Sequence, residues 1–472
     1  MARQTGSVSA LGRISEILTA LPESKKGFLA ETPQVKEWSR SIAHRANQLE
    51  ATTRPFLQEP VAAALVMEIE HFRDRVAGLH QPLAKELRTA AGNWLEIAKR
   101  KHQAAAGSLR RQPVHQVFRA GDPVDPQQEA FLPRYNVIGE LEQQIMLATG
   151  CPGLLLYGRR RTGKSTVIKN VGGFLPSSVT VVSLSMQSPL ASTSLDGLVE
   201  LIAATIRGGI PKWKETPQPK VDLSALFTFL GEADQHLQDT DQRLILAIDE
   251  YENIDVKIGQ GVFPEDLLGT LRESFQTHRN LTWMLAGSHH FTELSNAPWS
   301  SYLVSARTIE VPMFTEAETR LLLTEPLKHS RLWEEDDPKR PRFQPEFWGT
   351  DGIERIHQEA GGWPHLVQLL AETIIDRLND TGAETVDSEL LEAAFDKAVE
   401  RGDAVLYELL RRECTLDGEW AYLEGFRTTD TQPPPENSEI ARSLKRRLLV
   451  QEEGAHWRLR VPLMARWLRQ RG

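Results

Sequence analysis

The middle of this sequence predicts an α/β fold, a parallel five-stranded sheet with helices on both faces. Three observations predict it. Five short apolar runs recur, at residues 153–157, 179–184, 244–248, 281–286 and 308–311. Segments of helical periodicity separate them, and strands buried on both faces take the form of such uninterrupted runs. The first and third runs end in polar chemistry, a glycine-bounded loop and a pair of adjacent acids. In open parallel sheets, sites gather at the carboxyl ends of the strands.

The first run leads into Gly158-Arg159-Arg160-Arg161-Thr162-Gly163-Lys164-Ser165-Thr166. The spacing G-x-x-x-x-G-K-S is that of a phosphate-binding loop. Gly158 and Gly163 let backbone wrap the phosphates with no side chain in the way. The loop N–H groups and the N-terminus of the helix starting near Lys164 offer partial positive charge to an anion. Lys164 reaches the β- and γ-phosphates and the Ser165 hydroxyl ligates Mg²⁺. Arg159, Arg160, Arg161, Thr162 and Thr166 complete the nucleotide-binding set. For the three arginines, plain solvent exposure is the competing reading. The expected ligands are ATP and Mg²⁺.

The third run, LILAIDEYENI, ends in Asp249 and Glu250. Asp249 holds Mg²⁺ through water, opposite Ser165. Glu250, one residue beyond, is placed to orient and activate the attacking water. Glu252 is either a third site acid or a solvated residue at a helix start. The fourth run ends in Gly287-Ser288-His289. A polar side chain there senses the γ-phosphate, with Ser288 the first choice and His289 the second; a hydrogen-bonded strand terminus is the alternative. An arginine from a neighbouring subunit would complete such a site. Arg307 is the candidate, and Arg272 and Arg279 are its alternatives.

Residues 1–112 form a helical N-terminal domain. Val61, Leu65, Ile69, Phe72 and Val76 recur at helical spacing, as do Leu83, Leu87, Trp94, Leu95 and Ile97 after Pro82. Met67, His71 and Trp94 are read as core or semi-core rather than as ligands. Residues 113–135, rich in Gly, Pro and polar side chains, are a linker or extended arm. The nucleotide domain covers 136–315. A helical lid follows at 316–400, with helices at 316–325, 353–359 and 363–378 and a charged surface insertion at 334–347. Residues 401–472 follow the pattern of a winged helix. Helices are expected at 403–413, 417–426, 439–447 and 462–469, with Ser438 as an N-cap. A hairpin pairs 448–451 with 456–461 around the turn Glu452-Glu453-Gly454.

Composition limits the function classes. The chain has 472 residues and a formal charge of −9, which argues against a protein that coats nucleic acid over its whole surface. Residues 441–472 carry nine Lys/Arg against two Glu, a formal +7. That segment is a DNA face, a docking patch or a cover for the nucleotide pocket. The two cysteines, Cys151 and Cys414, lack metal-ligand spacing and suggest a reducing compartment. No apolar stretch approaches a membrane span and the first 30 residues lack a signal-peptide core. The expectation is a cytosolic protein with no membrane partner.

GRRRTGKST, LAIDEYE, AGSHH and GGWPHLVQLL, in this order, resemble the STAND-type or archaeal-type ATPases of the AAA+-like branch of P-loop NTPases. The resemblance spans about residues 130–472 and implies an extra strand between the two nucleotide motifs. It implies that Phe131-Leu132-Pro133-Arg134 stands where an F-x-G-R box helps to hold the base, with proline in place of glycine. It implies that Pro364 opens a lid helix over the nucleotide, followed by His365, and that the C-terminal module packs near the nucleotide. The expected function is a Mg-ATP-binding and hydrolysing switch with slow, regulated turnover. It would control assembly or signalling with a protein partner bound through residues 1–112, with or without homo-oligomerisation; the resemblance implies antiphage defence as a setting. Two readings compete: a DNA-handling ATPase of the loader or transposition-helper type, contacting DNA through 438–472, and a scaffold that keeps its nucleotide without hydrolysis.

Overall fold

The computed structural model describes residues 7–19, 30–52, 55–108, 113–121, 123–127, 129–147, 150–151, 153–210, 213, 222–383 and 385–471. The chain forms two compact units, one spanning the residues up to 116 together with 373–391, the other 117–372 together with 392–472.

The first unit contains helices α1 (Val8–Gly12), α2 (Ile14–Thr19), α3 (Thr32–Ala51), α4 (Pro55–Val76) and α5 (Leu83–Ser108). They close on one apolar core that includes Leu11, Ile42, Leu65, Ile69, Phe72, Leu87 and Trp94. The periodic residues of α4 and α5 therefore bury the stripe that their spacing predicts. Met67 does not join it. At 58% exposure it sits on the solvent side of α4, as does His71, because neither falls on the i, i+3, i+4 stripe. Residues 109–112, the end of the predicted helical domain, lie outside the described residues. Asn379 exchanges two hydrogen bonds with the Val114 backbone (2.8 and 2.9 Å), and Gln116 donates to Asp376 (2.8 Å). The start of the predicted linker is thus a tethered arm.

The second unit opens with extended chain. Ala130 N–H donates to Val117 O (2.7 Å) and Phe131 N–H to Pro326 O (3.0 Å). Then come α6 (Tyr135–Ile145), β1 (Leu154–Tyr157), α7 (Lys164–Val171), β2 (Val179–Ser185), α8 (Pro189–Thr193), α9 (Leu195–Gly209) and α10 (Leu223–Asp239). They are followed by β3 (Arg243–Asp249), α11 (Glu252–Gly259), α12 (Asp266–Thr277), β4 (Leu281–Gly287), α13 (Trp299–Tyr302) and β5 (Arg307–Glu310). The five strands form one sheet in the order β2-β3-β4-β1-β5, and every pair is parallel. All five predicted strands are present, with ends shifted by a residue. Alternate residues enter opposite cores: Leu155, Leu246 and Leu285 face α9, α10 and α12, whereas Leu154, Leu156, Ala247 and Met284 face α6 and α7. β2 lies in sequence between the phosphate loop and the acidic strand, and β4 separates β1 from β3 in the sheet, as the resemblance implied. Register then matters. Tyr157 pairs with Gly287, and Asp249 with Ala286, so the ends of β1, β4 and β3 lie level on one edge.

Beyond the sheet lie α14 (Glu316–Thr324), α15 (Gly352–Ala360), α16 (Pro364–Thr381) and α17 (Ser388–Arg401). Thr315 and Glu318 form a reciprocal capping box that starts α14. The insertion at 334–347 is a surface loop only in its first half. Arg340, Phe343 and the following Trp348 are buried, Arg340 against Glu325 (2.8 Å) and Phe343 against Phe118 (5.7 Å between centroids).

The C-terminal module comprises α18 (Asp403–Tyr407), a π-helical turn over Glu408–Arg412, α19 (Glu419–Glu424), β6 (Thr431–Gln432), α20 (Ser438–Arg446), β7 (Val450–Glu453), β8 (His456–Leu459) and α21 (Pro462–Gln470). Its sheet is antiparallel, in the order β6-β8-β7. Two local expectations are corrected. The N-cap of α20 is Asn437, whose side chain accepts from Glu439 N–H, while Ser438 is the first helical residue. Glu452 and Glu453 continue β7, paired with Trp457 and His456, because Gly454 (φ +62°) supplies the left-handed turn alone with Ala455.

Candidate functional site

The carboxyl edge of β1, β4 and β3 opens into a cavity of about 560 Å³. The loop from Gly158 to Gly163 leaves β1 and ends at the N-cap of α7. Gly163 has φ +96°, a conformation that disfavours any side chain. Gly158 is required by space: a Cβ there would lie 2.6 Å from Val311 O. Lys164, 9% exposed, donates from Nζ to Gly158 O (2.7 Å) and Arg159 O (2.9 Å). Burial pushes its pKa down to about 8, against the opposing pull of Glu252 and Asp249. Ser165 donates to Asp249 Oδ2 at 2.6 Å. The hydroxyl and carboxylate expected to share Mg²⁺ are therefore neighbours, an oxygen pair suited to a hard divalent cation.

Glu250 takes a left-handed backbone (φ +57°), held by its N–H donating to Asp249 Oδ1 (3.0 Å). Gln187, on the turn after β2, donates to Glu250 Oε1 at 2.6 Å. Burial, then the charges of Asp249 and Glu252, raise the Glu250 carboxyl pKa. Its Oε2 is buried without a partner among the described residues. Glu252 is no solvated helix-start residue. It lines the cavity and accepts at Oε1 from Ser288 N–H (3.1 Å) and Ser288 Oγ (2.8 Å), with His289 Nδ1 at 3.6 Å. Burial alone would raise its pKa; hydrogen bonds from His289, its own backbone and Ser288 hold it at about 2. Ser288 is buried on the cavity wall. His289, half exposed, does not line the cavity.

The three loop arginines diverge. Arg159 is neither phosphate-facing nor solvent-facing. It is 6% exposed and turned behind the loop, donating to Arg446 O (3.0 Å) and Ser288 O (3.2 Å), with Glu293 at 3.6 Å. The ring of Tyr157 lies 5.5 Å beneath its guanidinium. Arg160 and Arg161 do line the cavity. Arg160 pairs with Glu408 and Glu413 (2.8 Å each), and Arg161 with Glu408 (3.3 Å). These acids, on or beside the π-helical turn, were not singled out in the sequence, since nothing local marks a glutamate as a partner of residues so distant in the chain. Thr162 is buried, its hydroxyl donating to Arg159 O (2.9 Å), and Thr166 lines the cavity.

Pro364, the first residue of α16, and His365 also line the cavity. Burial, reinforced by Arg161, pushes the His365 pKa down to about 4. Trp363, 1% exposed, donates its indole N–H to Arg160 O (2.9 Å). The far end of the cavity is apolar, walled by Phe131, Leu132, Pro133, Ile138, Phe174 and Phe314. Arg134 is buried there, 4.9 Å over the Phe314 ring and donating to Pro312 O (2.6 Å). Arg307 is not part of this constellation. It is exposed at the start of β5, opposite Leu154 and so at the other edge of the sheet from the loop. Arg272 and Arg279 are exposed on and just after α12, also away from the cavity.

Residues 144–294 match the AAA domain family. No curated protein matches the chain. Among solved structures, a Walker-type ATPase of Pyrococcus abyssi is similar, at 17% identity and TM-score 0.50, over 72% of this chain and 96% of that one. The ORC2 protein of Aeropyrum pernix, solved with ADPNP and ADP, is similar at 13% identity and TM-score 0.49, over 73% and 95% of the two chains. The first likeness concerns the fold alone, and it agrees with the parallel sheet. The middle of this chain thus matches an AAA domain over residues 144–294 and has the AAA-type P-loop fold.

Proposed function

We propose that the chain is a Mg-ATP-driven switch with slow, regulated hydrolysis. The observation that carries this reading is the joint hold of the C-terminal module on the phosphate loop: Glu408 and Glu413 on Arg160 and Arg161, and Arg446 O on Arg159. Nucleotide phosphates need the cations that these carboxylates now occupy, so binding and module position are linked. In this reading Gly158, Thr162 and Gly163 shape the loop, Lys164 and the N–H groups from Gly163 to Thr166 hold phosphates, and Pro364 covers them. Ser165 and Asp249 hold Mg²⁺, which supplies charge neutralisation across the β- and γ-phosphates. Glu250, with its raised carboxyl pKa and its clasp to Gln187, orients the attacking water. Ser288 meets the γ-phosphate edge. Arg307, far from its own chain's cavity, acts only on a neighbouring copy.

The output is assembly or signalling with a protein partner through residues 1–112, with antiphage defence the setting that the resemblance implies. The C-terminal module, read as a winged helix, serves as a cover and docking surface. The DNA-handling reading ranks below this one. Of the nine basic residues in 441–472, seven are ion-paired within the chain. Little of the formal +7 is left for phosphates. The test is particle mass and turnover with and without Mg-ATP, for wild type and Glu250→Gln. Slow turnover lost in the variant, with an ATP-dependent change in mass or shape in both, supports the switch. A protein that neither turns over ATP nor changes state with it contradicts it.

A further inference from the structure

Nothing in the phosphate loop or the acidic strand selects a base, because both recognise phosphate and metal. Beside Arg134, whose guanidinium donates to Pro312 O, the apolar end of the cavity holds a carboxamide placed for that task. Gln368 lies one helical turn beyond Pro364 on α16, about 6 Å further along the axis. It is 7% exposed and lines the cavity beside Phe131, Leu132 and Arg134. Its Nε2 donates to the Ala130 backbone carbonyl at 2.7 Å. A carbonyl can only accept, so this bond fixes which way the carboxamide faces. Oε1 therefore points away from Ala130, and it is buried with no donor among the described residues.

A buried amide oxygen without a donor is uncommon in folded proteins, and beside a nucleotide-sized cavity it is an acceptor available to a ligand donor. We propose that Gln368 is the residue that specifies the base, accepting from the exocyclic 6-amino group of adenine. The inference rests on the nucleotide-binding reading above and adds base identity to it. Guanine and hypoxanthine carry an acceptor oxygen at the same ring position. Against them Oε1 meets a second lone pair. Rotating the carboxamide to offer Nε2 would turn Oε1 onto the Ala130 carbonyl, so the rejection is locked by backbone. Sites that bury an acceptor for a ligand N–H discriminate strongly against analogues that lack it, because the acceptor is left unpaired. Phe131, Phe174 and Phe314 supply apolar contact that any purine satisfies, so they add affinity without choice.

The experiment is equilibrium binding of Mg-ADP and Mg-IDP, which differ at that one ring position, to the full chain and to Gln368→Leu. The wild type should prefer ADP by about 30-fold or more, in line with a polar contact that the analogue cannot make. In Gln368→Leu the ADP affinity should fall by about that factor, the IDP affinity should stay within a few-fold, and the ratio should approach one. A wild-type ratio near one overturns the assignment without any variant. A Gln368→Leu protein that loses both nucleotides equally also overturns it, since the residue would then only support the Ala130 segment. Failure of the wild type to bind either nucleotide would instead count against the nucleotide-binding reading itself.

Discussion

At the residue scale, Lys164 sets the sharpest expectations. Its ammonium bonds its own loop carbonyls, so phosphates must draw it away. Lys164→Ala should abolish ATP binding. A ligand at about 100 times its dissociation constant stabilises the bound fold by roughly 2.7 kcal/mol, so wild type should melt higher with Mg-ATP and the variant should not. Equal thermal shifts would refute the assignment. The lysine also predicts a pH dependence. Its folded pKa of about 8 lies below the ordinary 10.5. The penalty for burying it charged is therefore complete below pH 8 and fades as pH rises towards 10.5. Bound phosphates restore the charged form, so binding on this group moves no proton at pH 7 and takes one up at pH 9, where affinity falls. Calorimetry in two buffers of different ionisation enthalpy measures this uptake, and a proton count near zero at pH 9 would contradict it. Glu250→Gln should keep nucleotide affinity within a few-fold and lower turnover by about 100-fold or more, the scale of a lost general base.

At the scale of elements, the sheet and the phosphate loop were legible because each is local. Apolar runs specify strands, and two glycines with a lysine specify the loop. The partners of the loop were not legible, because Arg159, Arg160 and Arg161 are oriented by tertiary contacts from Glu293, Glu408, Glu413 and the last turn of α20. The same blindness affects the basic run of α20. Lys445, Arg446 and Arg447 read as one basic run on a helix, yet they do three things. Lys445 lies over the Trp457 ring at 5.0 Å, Arg446 meets Glu293 at 2.9 Å, and Arg447 is 5% exposed with Glu419 at 3.1 Å. Removing Arg447 strands a fully buried carboxylate, which costs about 3–5 kcal/mol, so Arg447→Ala should unfold the module and lower the melting temperature. The acids facing the loop behave differently. Replacing Glu408 and Glu413 together by Gln frees Arg160 and Arg161, and Mg-ADP affinity should rise about threefold to tenfold, the worth of three partly exposed ion pairs. Unchanged affinity in that double variant would mean that these acids do not compete with phosphate.

At the scale of the whole molecule, the acidic balance and the pairing of seven C-terminal cations predict weak duplex binding at physiological salt. Lys445→Ala with Arg446→Ala, which spares the buried Arg447, should leave that weak affinity within a few-fold. Tight duplex binding lost in this pair, with a log–log salt slope smaller by about 2, would restore the DNA-handling reading. Among the described residues no helix is long and apolar enough to cross a membrane. Which core receives a given helix was not legible. Residues 373–391 belong to the same unit as the N-terminal helices, although their helical periodicity continues that of the residues from Pro364 onward. Periodicity shows which face of a helix is buried and carries no information on which core receives it.

The indole of Trp363 has an optical consequence. It is buried, and its N–H is bound to the carbonyl of Arg160 inside the phosphate loop. Emission from a buried indole depends on the field and the hydrogen bond at its nitrogen. Any nucleotide that re-forms the loop must therefore change the brightness or colour of this one side chain. The difference between wild type and Trp363→Phe isolates its emission from that of the other tryptophans. The protein thus carries its own fluorophore hydrogen-bonded to the loop, and loop closure can be timed by stopped flow with unlabelled nucleotide.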